Sequence, residues 1–185
     1  MVIWIDGTFG VGKTSVAETL KERFSFNNGV IHLDADRFYQ ENIRSYFFGG
    51  GGFFPQNNIQ FLSDFKQQII TEDAKPNAIV IVTMALTMDE CRDSLFLQLS
   101  SRVSKLIHII LLAEEQTIRY RIENDTSKRD KHFANSYLQR NIAYLSSNYP
   151  DAKQIDTEGR SIGEVAEIIA EIIENSINSS LSNKL

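Results

Sequence analysis

Gly7-Thr8-Phe9-Gly10-Val11-Gly12-Lys13-Thr14 decides the fold of this chain. It matches G-x-x-x-x-G-K-[ST] in full and stands between an apolar run ending at Asp6 and an amphipathic stretch carrying Val16, Ala17, Leu20 and Phe24. Each part has a physical task. Glycines let the backbone curl until successive N–H groups converge on an anion. The following helix adds its unpaired N–H groups and the positive end of its dipole. Lys13 is then set to bridge the β- and γ-phosphates, and the Thr14 hydroxyl to ligate Mg²⁺. Gly7, Gly10, Val11, Gly12, Lys13, Thr14 and Ser15 are the expected phosphate cradle, with ATP or GTP and Mg²⁺ as its ligands. A dinucleotide-type G-x-G-x-x-G is not formed, because Lys13-Thr14-Ser15 follows Gly10-Val11-Gly12.

Outward from this loop, short β-branched runs alternate with longer amphipathic stretches. Val2–Asp6, Val30–Asp34, Ala78–Thr83, Lys105–Ala113 and Ala152–Asp156 read as strands, and their near-continuous apolar character suits parallel strands covered on both faces. Ile59, Leu62, Lys66, Ile69 and Ile70 fit one face of a helix. Thr87-Met88-Asp89-Glu90 and Ser161-Ile162-Gly163-Glu164 read as capping boxes. The second opens a stripe of Ile162, Val165, Ala166, Ile169, Ile172 and Ile173, and the Ser/Asn-rich residues 176–185 read as a frayed tail. The expected class is α/β: an open five-stranded parallel sheet with helices on both faces, in a single domain spanning 1–185.

Composition narrows the function. The 185 residues hold 42% hydrophobic and 23% charged side chains, an ordinary globular mix. Nineteen Lys+Arg against 24 Asp+Glu leave a net charge of −5, which lacks the electrostatic footprint of a general nucleic-acid binder. One cysteine, Cys91, excludes an intrachain disulfide framework and any CxxC site. The longest apolar runs are too short to span a bilayer, the polar C-terminus offers no amphipathic anchor, and the start of the chain lacks signal-peptide character. A cytoplasmic protein is expected, free of nucleic acid and of stable membrane insertion.

Three further segments carry chemistry. Asp34 and Asp36, in His32-Leu33-Asp34-Ala35-Asp36-Arg37, lie where the second strand should run out at its carboxyl end, the edge at which open α/β sheets bind ligands. One carboxylate can hold the metal's shell and the other can accept the proton of an attacking hydroxyl. Asp34 is expected nearer the phosphates and metal, and Asp36 nearer the acceptor, though the two roles can be exchanged; either residue can equally cap the following helix. The segment from Arg119 to His132 holds five Lys/Arg against three acids, and fits either a solvated helix face or a lid over about 119–133 that brings arginines onto the transferring phosphate. Tyr46-Phe47-Phe48-Gly49-Gly50-Gly51-Gly52-Phe53-Phe54-Pro55 reads as a hinge or loop whose aromatics wall an apolar pocket, face a partner, or simply pack in the core. Trp4, Cys91 and His108 read as core residues.

The stretch Val2 to Thr14 resembles the tunicamycin-resistance (TmrB-like) ATP-binding proteins, as do Ile79–Met84, Leu111-Leu112-Ala113, Arg121, the Arg140 helix and Ser161–Ala166. More broadly, the chain is similar to nucleoside-monophosphate, shikimate and gluconate kinases. The resemblance implies a P-loop NTPase fold with strand order 2-3-1-4-5 and an arginine-bearing lid after the fourth strand. It implies that Arg121 and Arg140 contact the nucleotide, that Arg121 and Arg129 serve the transferring phosphate with Lys13, and that Thr14 and Asp34 hold Mg²⁺. It departs from those kinases at Val82-Thr83-Met84, where no acidic residue or glycine triplet follows the third strand. The leading expectation is an ATP- and Mg²⁺-dependent phosphotransferase acting on a hydroxyl of a small molecule, with a nucleoside-type antibiotic such as tunicamycin as one acceptor. An ATP-dependent drug-sequestering protein without chemistry and a metabolic nucleotide or metabolite kinase stay open beside it. A regulatory GTPase is disfavoured, since no Asn-Lys-x-Asp motif occurs.

Overall fold

The alternation inside β1 (Val2–Asp6) divides the core in two, for every residue of this strand is buried. Val2 and Trp4 pack with Phe61, Phe65, Val82 and Phe96 on one face; Ile3 and Ile5 pack with Val16, Leu20, Ile81 and Ile169 on the other. Burial on both faces of the sheet is why its central strands read as unbroken apolar runs. The computed structural model describes residues 1–25, 29–48, 54–126 and 130–182.

Four strands join β1: β2 (Val30–Asp34), β3 (Ile79–Thr83), β4 (Leu106–Leu112) and β5 (Lys153–Asp156). The sheet order is β2-β3-β1-β4-β5 and every pairing is parallel. Each observed strand lies within its expected run, trimmed by at most one residue at either end. Between β1 and β2 comes α1 (Lys13–Arg23); after β2 come α2 (Ala35–Glu41), α3 (Ile43–Phe48), a 3₁₀ turn at Pro55–Asn57 and α4 (Ile59–Asp73). After β3, α5 (Asp89–Cys91) passes through a π-helical stretch, Arg92–Phe96, into α6 (Leu97–Leu99). Then follow α7 (Glu115–Glu123), α8 (Lys131–Ser136), α9 (Leu138–Asn148) and, after β5, α10 (Ile162–Ser182). α4 and the π-helical stretch cover the Trp4 face, while α1 and α10 pack together on the Ile3 face.

Three local expectations are corrected. Thr87 does not cap a helix: α5 begins at Asp89 behind Met88, which gives no side-chain cap. Thr87 instead donates its N–H and hydroxyl to Gln56 Oε1, at 3.0 and 2.9 Å, so an oxygen from a distant turn takes the N–H that Glu90 was expected to cap. The buried face of α4 centres on Phe61, Leu62, Phe65 and Ile69, leaving Ile59 75% exposed, because the bulkier Phe61 and Phe65 enter the core and turn the buried arc away from Ile59. Residues 176–182 are helical rather than frayed: Ile177 packs against the second core and Lys105 Nζ donates to the Ser176 carbonyl. The Ser161 box forms as read, with Ser161 N–H 2.8 Å from Glu164 Oε2. Among the described residues, no helix is long and apolar enough to cross a membrane. Arg129 and the Gly49–Gly52 run lie outside the described residues.

Candidate active site

The loop between β1 and α1 has the backbone its glycines allow. Gly7, Gly10 and Gly12 sit at φ +138°, +73° and +105°, values that L side chains rarely adopt. A Cβ at Gly7 would meet Val11 Cγ1 at 2.7 Å and the Leu111 carbonyl at 2.8 Å; at Gly10 it would meet Ile122 Cγ1 at 2.8 Å. At Gly12 it would meet nothing within 4 Å, because that residue faces an open cleft. Gly12 is the N-cap of α1 and brings no side chain to its first turn, leaving those N–H groups for an anion. Lys13 Nζ donates to the Gly7 and Thr8 carbonyls at 2.8 and 2.9 Å, which folds the ammonium over the loop. These features fit a nucleotide's phosphates.

Beneath the loop, the wholly buried Asp6 carboxylate accepts from the Gly7 N–H (2.6 Å) and the Leu86 N–H (3.1 Å) and pairs with His108 Nε2 (3.0 Å). It therefore ties the start of the phosphate loop to the segment after β3, and gives His108 its partner in the core. Cys91 is buried as read, and burial pushes its thiol up to about 12.

Strand register assembles the aspartates with the loop. Asp34 of β2 lies beside Thr83 of β3, so the Thr83 hydroxyl donates to Asp34 Oδ2 at 2.9 Å. Thr14 Oγ1 donates to the same oxygen at 3.0 Å, and Asp34 Oδ1 accepts the Arg37 N–H at 3.0 Å as the cap of α2. Asp34 thus caps α2, one of the readings open to it, and its other oxygen also meets Thr14. Having given its one hydrogen to Asp34, Thr83 Oγ1 can accept from His32 Nε2, 2.9 Å away. His32 Nδ1 lies 2.7 Å from Glu18 Oε1, and this hydrogen bond holds the Glu18 carboxyl below the usual carboxylate range. A hydroxyl and a carboxylate oxygen side by side are hard donors suited to Mg²⁺, which is usually held by one or two carboxylates and by substrate phosphates. Among the described residues, no group of three or more His, Cys, Asp or Glu could hold a metal.

Among the described residues, two compartments lined by Lys13 flank the loop. A cleft of about 580 Å³ is lined by Gly10 to Val16, Arg121, Thr157, Arg160 and Ser161. Arg121 is locked there by two bonds of 2.9 Å from its guanidinium to Thr157 Oγ1 and carbonyl. A cavity of about 190 Å³ lies on the other side, walled by Phe9, Phe54, Phe133, Tyr137, Met84 and Met88, with Asp34, Asp36, Gln56, Arg140 and Asn141. Lys13 and Thr14 line both compartments. Arg140, expected beside the nucleotide, stands on the cavity side with the aspartates, its guanidinium 5.8 Å from the Tyr137 ring centroid; Arg121 stands on the cleft side, apart from them. Sequence reading missed Gln56, Asn141, Arg160, Thr83 and His32. Of these, only Thr83 carried a signal, as the polar end of an apolar strand.

The fold has counterparts among solved structures. The tunicamycin resistance protein of Deinococcus radiodurans superposes with a TM-score of 0.69 at 24% identity, over 93% of this chain and 94% of that one. A gluconokinase from Sinorhizobium meliloti 1021 gives 0.64 at 19%, over 97% of each chain. The APS kinase of Mycobacterium tuberculosis, solved with AMPPNP and APS, gives 0.60 at 16%, over 94% and 96%. The fold is that of the P-loop kinases. No protein-family model matches the chain, and no curated protein matches its sequence. The P-loop kinase likeness therefore rests on architecture, in agreement with the resemblance to tunicamycin-resistance proteins and small-molecule kinases read from Val2 to Thr14 and beyond.

Proposed function

We propose that this protein is an ATP- and Mg²⁺-dependent phosphotransferase that phosphorylates a hydroxyl of a small molecule. One observation carries the reading: Lys13 and Thr14 line both the cleft and the cavity, so a phosphate seated on the loop faces a second ligand across them. The backbone of Gly7 to Ser15 holds the phosphates, and Arg121 and Arg160 flank the nucleotide in the cleft. Thr14 and Asp34 hold Mg²⁺, which when bound neutralises charge on the phosphate oxygens. Asp36, the exposed aspartate of the cavity wall, accepts the proton of the attacking hydroxyl, and Arg140 steadies charge on the acceptor side. Arg129 of the proposed lid is assigned to the transferring phosphate. Enclosing both ligands excludes water and prevents wasteful hydrolysis.

The likeness to a tunicamycin resistance protein supports a nucleoside-type antibiotic such as tunicamycin as acceptor, and resistance as the outcome. A second reading, nucleotide-dependent sequestration without chemistry, is favoured by the end of β3, where Thr83 stands and no carboxylate follows. Mass spectrometry after incubation with Mg·ATP separates them: one added phosphoryl group, lost in Lys13→Ala, supports the transferase. Nucleotide-dependent binding without ADP release supports sequestration. Transfer to a sugar acid or nucleotide alone supports a metabolic kinase.

A further inference from the structure

The cavity holds two side-chain amides that the reaction sketched above does not use. Gln56 comes from the Pro55–Asn57 turn and Asn141 from α9. The Gln56 amide has a single allowed orientation. A backbone N–H only donates, so the atom 3.0 Å from the Thr87 N–H must be the Gln56 oxygen, and the NH₂ group is the opposite end. That NH₂ makes no hydrogen bond among the described residues, and Gln56 lines the cavity. Asn141 is only 3% exposed, its side-chain amide also lacks a hydrogen bond among the described residues, and the cavity it lines gives that amide access to a ligand. Asn141 is buried and Gln56 half-buried, and amides so enclosed normally find partners, so two of them lining one cavity favour a polar edge on whatever fills it.

Much of the remaining lining is apolar, and four of its side chains, Phe9, Phe54, Phe133 and Tyr137, are aromatic rings. Phe133 is the hub: its ring centroid lies 5.5 Å from Phe54 at 26°, 5.9 Å from Phe9 at 71° and 4.6 Å from Tyr137 at 40°. Such walls offer faces and edges to another ring. About 190 Å³ somewhat exceeds a cavity of roughly 150 Å³ that takes up benzene, which leaves room for one ring and its substituents. The formal charges lining this space cancel, Asp34 and Asp36 against Lys13 and Arg140, with Lys13 held on the loop carbonyls and Arg140 exposed, so an anion gains no net attraction here.

We propose that the cavity selects an uncharged, ring-bearing acceptor, and that Gln56 and Asn141 set this specificity by hydrogen-bonding the ring's polar edge while the aromatic walls cover its faces. The proposal rests on the reading of this cavity as the acceptor side. It is tested with 2-pyridone, a small ring with adjacent carbonyl and N–H groups, titrated into the full chain and followed by NMR, with benzoate and shikimate as anionic comparators. The expected result is millimolar binding of 2-pyridone that shifts the Gln56 and Asn141 side-chain NH₂ signals, with weaker or no binding of the anions. Gln56→Glu keeps an oxygen for both Thr87 donors but replaces the NH₂ with a second oxygen, and Asn141→Leu keeps the volume. Each is expected to weaken 2-pyridone about tenfold, which is ~1.4 kcal/mol. Binding of Mg·ATP reports that each variant is folded; if Asn141→Leu does not fold, half-buried Gln56→Glu still decides. Preferred binding of an anion, absence of 2-pyridone binding, or wild-type affinity in both variants overturns the proposal. Amide-dependent binding of 2-pyridone with no phosphoryl transfer to any hydroxyl-bearing compound upholds it while removing the transferase reading.

Discussion

Replacing Asp34 separates its structural task from its task toward the metal. Asp34→Ala removes the cap of α2, worth about 1 kcal/mol. It also removes the acceptor for Thr14 and Thr83, two bonds to a carboxylate worth roughly 1.5 kcal/mol each at a half-buried site. Together these make about 4 kcal/mol, and at 2–4 °C per kcal/mol for a chain of this size the melting temperature should fall by roughly 8–16 °C. Asp34→Asn retains an oxygen for the Arg37 N–H and so keeps the cap, and its NH₂ can donate to hydroxyls that turn to accept. Its loss should be about 1–2 kcal/mol, or roughly 2–8 °C. Turnover behaves differently: both variants lose the negative charge beside Thr14, and Mg·ATP-dependent transfer should fall by about 10²-fold or more in each. Thermal unfolding without nucleotide and initial rates across a Mg²⁺ titration provide the readouts. Equal melting temperatures for the Asn and Ala variants would refute the capping argument, and wild-type turnover in Asp34→Asn would refute the metal assignment.

Asp36→Asn should lower turnover by about 10²–10⁴-fold with ATP affinity unchanged, measured by initial rate and calorimetry; an unchanged rate removes it as the base. Gly10→Ala forces a left-handed alanine against buried Ile122, for a combined cost of roughly 2–5 kcal/mol, whereas Gly12→Ala meets only backbone strain. The Gly10 variant should therefore melt at the lower temperature, and the reverse order would contradict the packing described. Burial pushes the Asp73 carboxyl up, but the Met1 ammonium, the Ser104 N–H and the Ser104 hydroxyl outweigh it and hold the group below its usual value. A depressed carboxylate stabilises the fold above its unfolded pKa of about 3.9, and this contribution is lost as pH falls through the lower folded value. Melting temperatures of the wild type should drop in that acid range more steeply than those of Asp73→Asn; parallel curves would contradict the assignment.

What the sequence disclosed follows from what is local in it. The strands stand within a residue of their expected ends, because a buried parallel strand is written as consecutive apolar residues and needs no partner to be recognised. The phosphate loop and the Ser161–Glu164 box are equally local, each formed by residues within a few positions. The Thr87 box failed because the competing acceptor, Gln56, lies 31 residues away. The meeting of Asp34 with Thr83 depends on the register of β2 against β3, and 49 residues separate the two. Gln56 and Asn141 carry no pattern at all; one is in a short turn and the other in an amphipathic helix, and only folding sets them around one cavity. Arg121 and Arg140 were both visible as candidates, but which compartment each lines depends on the packing of α7 and α9 around the loop.

The central claim is that a phosphate on the Lys13 loop is passed to a hydroxyl in the neighbouring cavity. The most direct measurement is mass spectrometry of tunicamycin and a panel of hydroxyl-bearing compounds, including nucleosides, nucleotides, sugar acids and uncharged ring-bearing alcohols, after incubation with the protein and Mg·ATP. The account predicts one added phosphoryl group on at least one uncharged ring-bearing compound, with matching ADP, lost in Lys13→Ala and strongly reduced in Asp36→Asn. No mass gain on any compound, with ATP binding demonstrated on the same sample, would contradict it.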